Sequence, residues 1–147
     1  MSNGYRTEKD FLGEKQIPND AYYGVQTLRG KENFHITGIS MSAEPYSVKA
    51  FGYVKKACAL ANRDLGCLDP RICNAIVAAC DRLIAGELLD QFITDFIQGG
   101  AGTSVNMNAN EVIANVALET MGHKKGEYAI VSPNDHVNFG QSTNDVY

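Results

Sequence analysis

The stretch Gly-Gly-Ala-Gly-Thr-Ser-Val-Asn-Met-Asn-Ala-Asn-Glu, residues 99–111, places three glycines directly before a helical pattern. Apolar residues recur at helical spacing from Thr103 to about Met121, and Gly122 follows where a helix would end. Glycines leave backbone N–H groups accessible, and the positive end of a helix dipole favours a negative ligand. The stretch therefore predicts a long helix whose first turn can face a small anion.

Four asparagines, Asn106, Asn108, Asn110 and Asn115, interrupt this apolar helix. Asparagine is a poor helix former because its amide competes for backbone hydrogen bonds, so another interaction must offset its presence. Asn106 and Asn110 are four apart and share one face, where they could line a polar cavity or donate to a partner helix. The alternative is an exposed helix start whose amides bond their own backbone. The spacing leaves both interpretations open.

A second polar cluster, Gln-Ser-Thr-Asn-Asp at residues 141–145, presents neutral hydroxyl and amide donors in a row. Such donors can hold a carboxylate without clamping it by net charge, which matters when the carboxylate gains electron density during a reaction. The same residue types also mark turns and helix N-caps. Since the chain stops at Tyr147, we expect the helix that follows this cap to be truncated.

Two antiparallel helices are predicted between residues 51 and 86, because two apolar stripes are separated by a short connection. Gly66 ends the first helix, and Asp69 and Pro70 begin the second as N-cap and first-turn proline. The first stripe consists of Phe51, Val54, Cys58, Ala61 and Leu65, and the second of Ile72, Ala75, Ile76, Ala79, Cys80 and Leu83.

The remaining segments carry weaker patterns. Residues 1–19 are polar and predict an irregular arm, and Asn19 or Asp20 is predicted to cap a short helix over 21–28. Residues 90–98 stay ambiguous between helix and an extended run. A small strand is predicted over 128–131 and a turn over 132–135. The predicted fold class is mostly α, a small helical domain with one or two short extended segments.

The composition is that of an ordinary globular protein of one domain: 147 residues, 44% hydrophobic and 20% charged, with a net charge of −4. It favours neither a nucleic-acid partner nor a membrane, and Lys55-Lys56 and Lys124-Lys125 are interpreted as solvated charges. The absence of a signal peptide predicts the cytoplasm.

No Cys-x-x-Cys pair occurs, so the four cysteines are interpreted as packing residues and no metal is expected. His35, His123 and His136 have no partner at catalytic spacing. These last residues are therefore assigned no base role.

Long motifs spread over nearly the whole chain match a known family in the same order. They are Glu-Lys-Asp-Phe-Leu-Gly-Glu at 8–14, Pro-Asn-Asp-Ala-Tyr-Tyr-Gly-Val-Gln-Thr-Leu-Arg at 18–29, Glu-Asn-Phe at 32–34, the Gly-rich run at 99–111, Met-Gly-His at 121–123, Pro-Asn-Asp-His-Val-Asn at 133–138, and the cluster at 141–145. With these motifs the chain resembles the N-terminal domain of the fumarase/aspartase superfamily.

Finer differences place the resemblance nearer the aspartate ammonia-lyase (aspartase) branch than the class II fumarases. The fumarase-like Trp-Gly-Ala-Gln-Thr-Gln, Gly-Ser-Gly-Thr-Gln-Ser and Ser-Ser-Asn are replaced by Tyr-Gly-Val-Gln-Thr-Leu at 23–28, Gly-Ala-Gly-Thr-Ser-Val at 100–105 and Ser-Thr-Asn at 142–144. Ser132 stands where fumarases have the histidine of a secondary anion site. Gln26 is the exception, because it matches the fumarases.

The resemblance implies an anti-elimination reaction on a small-molecule substrate, L-aspartate, which yields fumarate and ammonia without a cofactor. A base removes the proton beside a carboxylate to give an aci-carboxylate dianion, and the amine then leaves. The residues that the resemblance assigns to substrate binding are Thr103, Ser142, Thr143 and Asn144, with Gly102, Asn106 and Asn110 in support.

The resemblance also implies a larger protein. The family's catalytic serine loop, its Met-Pro-x-Lys-x-Asn segment and its Thr-His pair do not occur in this chain, so no catalytic residue is assigned here. Each active site of the family combines three subunits of a homotetramer. We therefore expect residues 1–140 to form an N-terminal domain, residues 141–147 to begin a central helical bundle, and the isolated chain to be inactive.

Two other functions remain as alternatives. The first is a class II fumarase-type hydratase, which would release water from malate. The second is a non-catalytic helical module that uses the Gly-rich turn to bind an anion such as phosphate.

Overall fold

A computed structural model describes residues 4–147 of the chain, apart from the side chains of Asn144 and Asp145. An antiparallel hairpin of β1 (Tyr5–Asp10) and β2 (Gly13–Pro18) comes first. Five helices follow. They are α1 (Val25–Asn33), α2 (Pro45–Asp64), α3 (Pro70–Ala85), α4 (Thr103–Thr120) and α5 (Thr143–Val146). The prediction of a mostly α fold with short extended segments is confirmed.

The prediction of an irregular N-terminal arm is wrong for the part that the structure describes, while residues 1–3 lie outside it. In the hairpin Arg6 pairs with Ile17, and the buried positions are Ile17 and Glu8. Because an acidic residue occupies one of the two buried positions, the hairpin has no apolar alternation that a sequence pattern could reveal.

Helix α1 begins at Val25, later than predicted, and neither Asn19 nor Asp20 caps it. Its first N–H groups donate instead to two buried carboxylates from distant segments. Glu111 on α4 accepts from the amides of Gly24, Gln26 and Thr27 at 2.9–3.0 Å, and Glu8 accepts from the amide of Val25 at 2.9 Å. Burial raises the pKa of Glu111 to about 7, and hydrogen bonds from Thr27 and Gln26 oppose that rise. The start of this helix is therefore set by tertiary contacts.

The predicted α2–α3 pair is confirmed, together with its local signals. Gly66 adopts a left-handed φ of 73° after α2, and the Asp69 carboxylate accepts the Arg71 amide at 2.8 Å at the start of α3. Gly52 lets the two helices approach closely, because a Cβ there would lie 2.9 Å from Ile84 Cγ1 and 3.1 Å from the Cys80 carbonyl oxygen. One of these neighbours is backbone and cannot rotate away.

Gly52→Leu is therefore expected to lower the free energy of unfolding of this chain by roughly 1–3 kcal/mol, since overpacking forces the two helices apart. Urea unfolding followed by circular dichroism measures the change. Ala57→Leu on the exposed face of the same helix is the matched control and should stay within about 0.5 kcal/mol of the parent chain. Equal stability of the two variants would contradict the close α2–α3 contact.

Helix α4 is the centre of the core, and every residue from Val105 to Leu118 is buried. It packs against α1 and α3 and against a π-helical turn, Pro133–Val137. Ser132 caps that turn by accepting the Asp135 amide at 2.9 Å. A helix surrounded on all sides shows a broad apolar pattern rather than one stripe.

Two further predictions concern irregular segments. The ambiguous stretch 90–98 contains the end of a short 3-10 turn, Leu89–Gln91, and an isolated bridge between Ser40 and Asp95. The predicted strand over 128–131 is wrong, because this segment forms turns, in which the Tyr128 amide donates to the Gly126 carbonyl oxygen at 2.8 Å and the Ile130 amide to that of Glu127 at 2.9 Å. None of the described helices combines the length and the apolar character that crossing a membrane requires.

Candidate functional site

The Gly-rich motif forms a tight turn that begins α4. Gly100, Ala101 and Gly102 adopt left-handed φ angles of 61°, 57° and 83°, and the helix starts at Thr103 as predicted. The Thr103 side chain is exposed, and its hydroxyl donates to the Gly100 carbonyl oxygen at 2.8 Å. Gly102 is buried against the ring of Tyr147, where a side chain would collide with that ring. The turn thus presents Thr103 at the surface and holds the end of the chain against Gly102.

The asparagines of α4 are buried and bond to neighbouring segments, so the interpretation of an exposed helix start is wrong. The Asn106 amide group donates to Asn138 Oδ1 at 3.1 Å and to Thr143 Oγ1 at 3.2 Å. Asn110 donates to the same Asn138 oxygen at 3.2 Å. Asn108 bonds the backbone of residues 91 and 93, and Asn115 bonds residues 22, 126 and 128. These contacts offset the low helix propensity of asparagine.

The second motif lies beside the first. Ser142 is the exposed residue before α5, and Thr143 opens that helix with its hydroxyl accepting from Asn106. Helix α5 packs against the Gly100–Gly102 turn. The side chain of Asn144 lies outside the described part of the chain. The structure therefore joins Thr143 to Asn106 directly, and it brings the two motifs together through the turn rather than through a contact between Thr103 and Ser142.

Lys55 is the residue that sequence reasoning missed. It was interpreted as a solvated charge, yet its side chain is 0% exposed, and its ammonium donates to Asn106 Oδ1, Asn138 Oδ1 and Gln141 Oε1 at 2.7, 2.9 and 2.8 Å. Burial lowers the pKa of Lys55 to about 8. One feature of the sequence indicates the burial of Lys55, because Lys55 lies four residues after the buried Phe51 and so shares its helix face. Lys56 does lie at the surface, where it pairs with Asp81 at 2.6 Å.

Thr103 also borders a groove of about 300 Å³ next to the β-hairpin. Arg29 lines this groove, but its guanidinium is held by both Asp10 carboxylate oxygens at 2.8 Å and by the Gly13 carbonyl oxygen at 3.0 Å. The Asp10 hydrogen bond raises the pKa of Arg29. Arg29 therefore fastens the hairpin to α1 in this structure.

The cysteines and histidines do not gather into a site. Cys73 and Cys80 are buried packing residues as predicted, whereas Cys58 is half-buried and Cys67 is exposed, so the packing interpretation fails for Cys67. His136 accepts the Ser132 amide through Nδ1 at 2.9 Å. Within the described side chains, no three His, Cys, Asp or Glu residues are grouped as metal ligands.

Comparison with known proteins identifies the family to which this helical domain and its two polar motifs belong. The family described as Lyase matches residues 13–147. The chain is 60% identical to an aspartate ammonia-lyase of Bacillus sp over 100% of its length and 31% of the relative, and 55% identical to that of Escherichia coli (strain K12), with the same coverage of both chains.

Solved structures agree. A fumarate lyase:delta crystallin from Brucella melitensis matches with a TM-score of 0.95 and 55% identity over 97% of this chain and 33% of that one. A class II fumarase from Schistosoma mansoni matches with a TM-score of 0.88 and 35% identity over 97% and 30%. The chain belongs to this lyase family, the fumarase/aspartase superfamily, and spans about 31% of the length of the curated relatives.

Proposed function

We propose that this chain is the N-terminal part of an aspartate ammonia-lyase, which converts L-aspartate to fumarate and ammonia. Relatives that carry that name are 55–61% identical over the whole chain, whereas the class II fumarase is 35% identical. The observation that carries the proposal is the joining of the two motifs, in which Asn106 donates to Thr143 and α5 packs on the Gly100–Gly102 turn. Both motifs carry neutral hydroxyl and amide donors, which can hold a carboxylate without a net positive charge.

The hydroxyl and amide donors of the two motifs suit the aci-carboxylate dianion, which is the least stable species of the reaction. When the proton beside the carboxylate is removed, the extra charge rests on the carboxylate oxygens, so hydrogen-bond donors that are fixed beforehand stabilise it most. In this proposal Thr103, Ser142, Thr143 and Asn144 bind those oxygens. Gly102 supports them by allowing the turn, while Asn106 and Asn110 act from behind through Asn138 and Thr143.

The base that removes the proton is proposed to lie elsewhere in the longer enzyme. Exposed apolar residues support an assembly larger than this chain, since Phe11 and Leu12 at the hairpin tip are 109% and 79% exposed. We propose a homotetramer, in which other subunits complete each site and residues 141–147 lead into the central bundle. The cytoplasm remains the proposed compartment.

An activity assay tests this function. The full-length enzyme should release ammonia and form fumarate from L-aspartate, whereas the 147-residue chain alone should release none. Fumarate formed from malate but not from aspartate would identify a hydratase instead. If neither substrate reacts and the isolated chain binds phosphate in preference to dicarboxylates, the anion-binding module is correct.

A further inference from the structure

Lys55 is built into the structure in a way that packing alone does not explain. It projects from α2 into the interior, where its three ammonium protons meet three amide oxygens, one each from Asn106, Asn138 and Gln141. A buried ammonium is costly to desolvate, and an apolar side chain of the same length would avoid that cost. The charge is therefore expected to serve something other than stability.

The acceptors of Lys55 belong to the two halves of the candidate site. Asn106 lies in the first turn of α4 and passes the contact on, because its amide nitrogen donates to Thr143 Oγ1 at 3.2 Å. Gln141 directly precedes Ser142 in the chain. A continuous hydrogen-bonded path thus runs from Lys55 to Thr143, and a second contact fixes the residue before Ser142.

The same ammonium organises the turn that leads into the second motif. Asn138 Oδ1 accepts hydrogen bonds from the Lys55 ammonium and from the side-chain amides of Asn106 and Asn110. Asn138 Nδ2 donates to the Gln141 carbonyl oxygen at 3.1 Å. Gln141 in turn donates to the Val137 carbonyl oxygen at 2.8 Å. Removing Lys55 would leave the Gln141 and Asn106 side-chain oxygens without this donor. The turn would then lose one of its attachments to α2, while the hydrogen bond from Asn62 Nδ2 to the Phe139 carbonyl oxygen at 2.9 Å would remain.

We propose that Lys55 is a positioning residue that holds Ser142 and Thr143 in register with the start of α4. The role rests on the proposed function, because these hydroxyls matter only if they bind substrate. Reacting groups displaced by about 1 Å can slow catalysis on the order of 100-fold. In the full-length enzyme, Lys55→Met is therefore expected to lower kcat/KM by roughly 10- to 100-fold and to weaken succinate binding by a similar factor.

Two companion variants separate positioning from general damage. Lys56→Met removes the neighbouring charge at the surface and should bind succinate as the wild type does. Gln141→Met leaves Lys55 in place but deletes one of its acceptors, together with the donation from Gln141 to the Val137 carbonyl oxygen, and it should weaken succinate binding roughly 3- to 10-fold. If Lys55→Met does not fold, the pH dependence of wild-type succinate binding decides the outcome.

The pH dependence of succinate binding is a separate test, because a purely structural role of Lys55 would not make the affinity vary with pH in this range. Burial lowers the pKa of Lys55 to about 8, and a neutral amine has two N–H donors for three acceptors. Wild-type succinate affinity should fall as the pH rises from about 7 to 9.5, and Lys55→Met should lack this component. Cys58 and Cys80 are the titratable groups that face Lys55, and both remain in the variant.

Wild-type turnover of aspartate is measured first, because its absence contradicts the proposed function itself. With an active wild type, wild-type succinate affinity in folded Lys55→Met would overturn the role of Lys55. Where Lys55→Met fails to fold, wild-type succinate affinity that stays constant from about pH 7 to 9.5 would overturn it. Weakened binding in Lys55→Met and Gln141→Met, with Lys56→Met unchanged, supports it.

Discussion

Glu111→Leu is expected to lower the free energy of unfolding of this chain by roughly 3–5 kcal/mol. The Glu111 carboxylate is 1% exposed and accepts three backbone amides and the Thr27 hydroxyl, the last at 2.6 Å. Leucine fills similar space but leaves these donors buried without an acceptor. Each unsatisfied donor costs about 1–3 kcal/mol, and relaxation of α1 toward water offsets part of the total.

Glu111→Gln separates the charge from the shape. An amide has one acceptor oxygen and turns its NH₂ group toward a donor, so the loss should be roughly 2–3 kcal/mol. Urea unfolding at about pH 8 is the measurement, because a pKa of about 7 leaves Glu111 mostly ionised there. Glu44→Leu and Glu44→Gln, at an exposed position before α2, are matched controls. A Glu111→Leu chain as stable as Glu44→Leu would show that α1 does not depend on this carboxylate.

The parts of the fold that the sequence predicted are those specified by neighbouring residues. Helices α2 and α3 carry their own apolar stripes, and Gly66, Asp69 and Gly86 end or begin them through contacts within a few residues. Helix α4 was predicted for the same reason. Such local signals can be recognised in the sequence without knowledge of the tertiary structure.

The features that were missed depend on contacts between distant positions. Helix α1 begins where Glu111 accepts its amides, although 84 or more residues separate Glu111 from these partners. The hairpin buries Glu8 instead of an apolar side chain, so it lacks the alternation by which strands are recognised. Helix propensity and apolar periodicity depend only on neighbouring residues, so they cannot reveal a hydrogen-bond partner on another segment.

The candidate site divides in the same way. Thr103 and the residues 142–143 stand out locally, since small polar residues follow glycines or precede a helix. Lys55 does not, because a lysine is usually exposed and its three acceptors lie 51 to 86 residues away. The asparagines of α4 were recognised as unusual, but only the structure shows that they join the two motifs.

Thr103→Val in the full-length enzyme is expected to reduce kcat/KM by an amount equivalent to roughly 1.5–4 kcal/mol, which is the effect of losing one donor to a developing oxyanion. This requires the single hydroxyl proton of Thr103 to turn from the Gly100 carbonyl oxygen to the substrate. The helix supplies a matched control at its other end. Thr120 is also exposed, and its hydroxyl donates to the Val116 carbonyl oxygen at 2.9 Å, as that of Thr103 does to Gly100 at 2.8 Å. Thr120→Val should leave kcat/KM unchanged, so a defect confined to Thr103→Val cannot come from the lost backbone contact alone.

Ser142→Ala is expected to produce a loss of the same size, and the double variant tests whether Thr103 and Ser142 act on one ligand. Residues that bind the same dianion should show a coupling energy of at least about 0.5 kcal/mol, whereas residues at separate sites should add. The structure links the two side chains indirectly, through the Gly100–Gly102 turn, α5 and the hydrogen bond from Asn106 to Thr143. Coupling in kcat/KM without coupling in unfolding free energy would therefore come from the shared substrate. Additive losses, or wild-type kinetics in either single variant, would contradict a common carboxylate site.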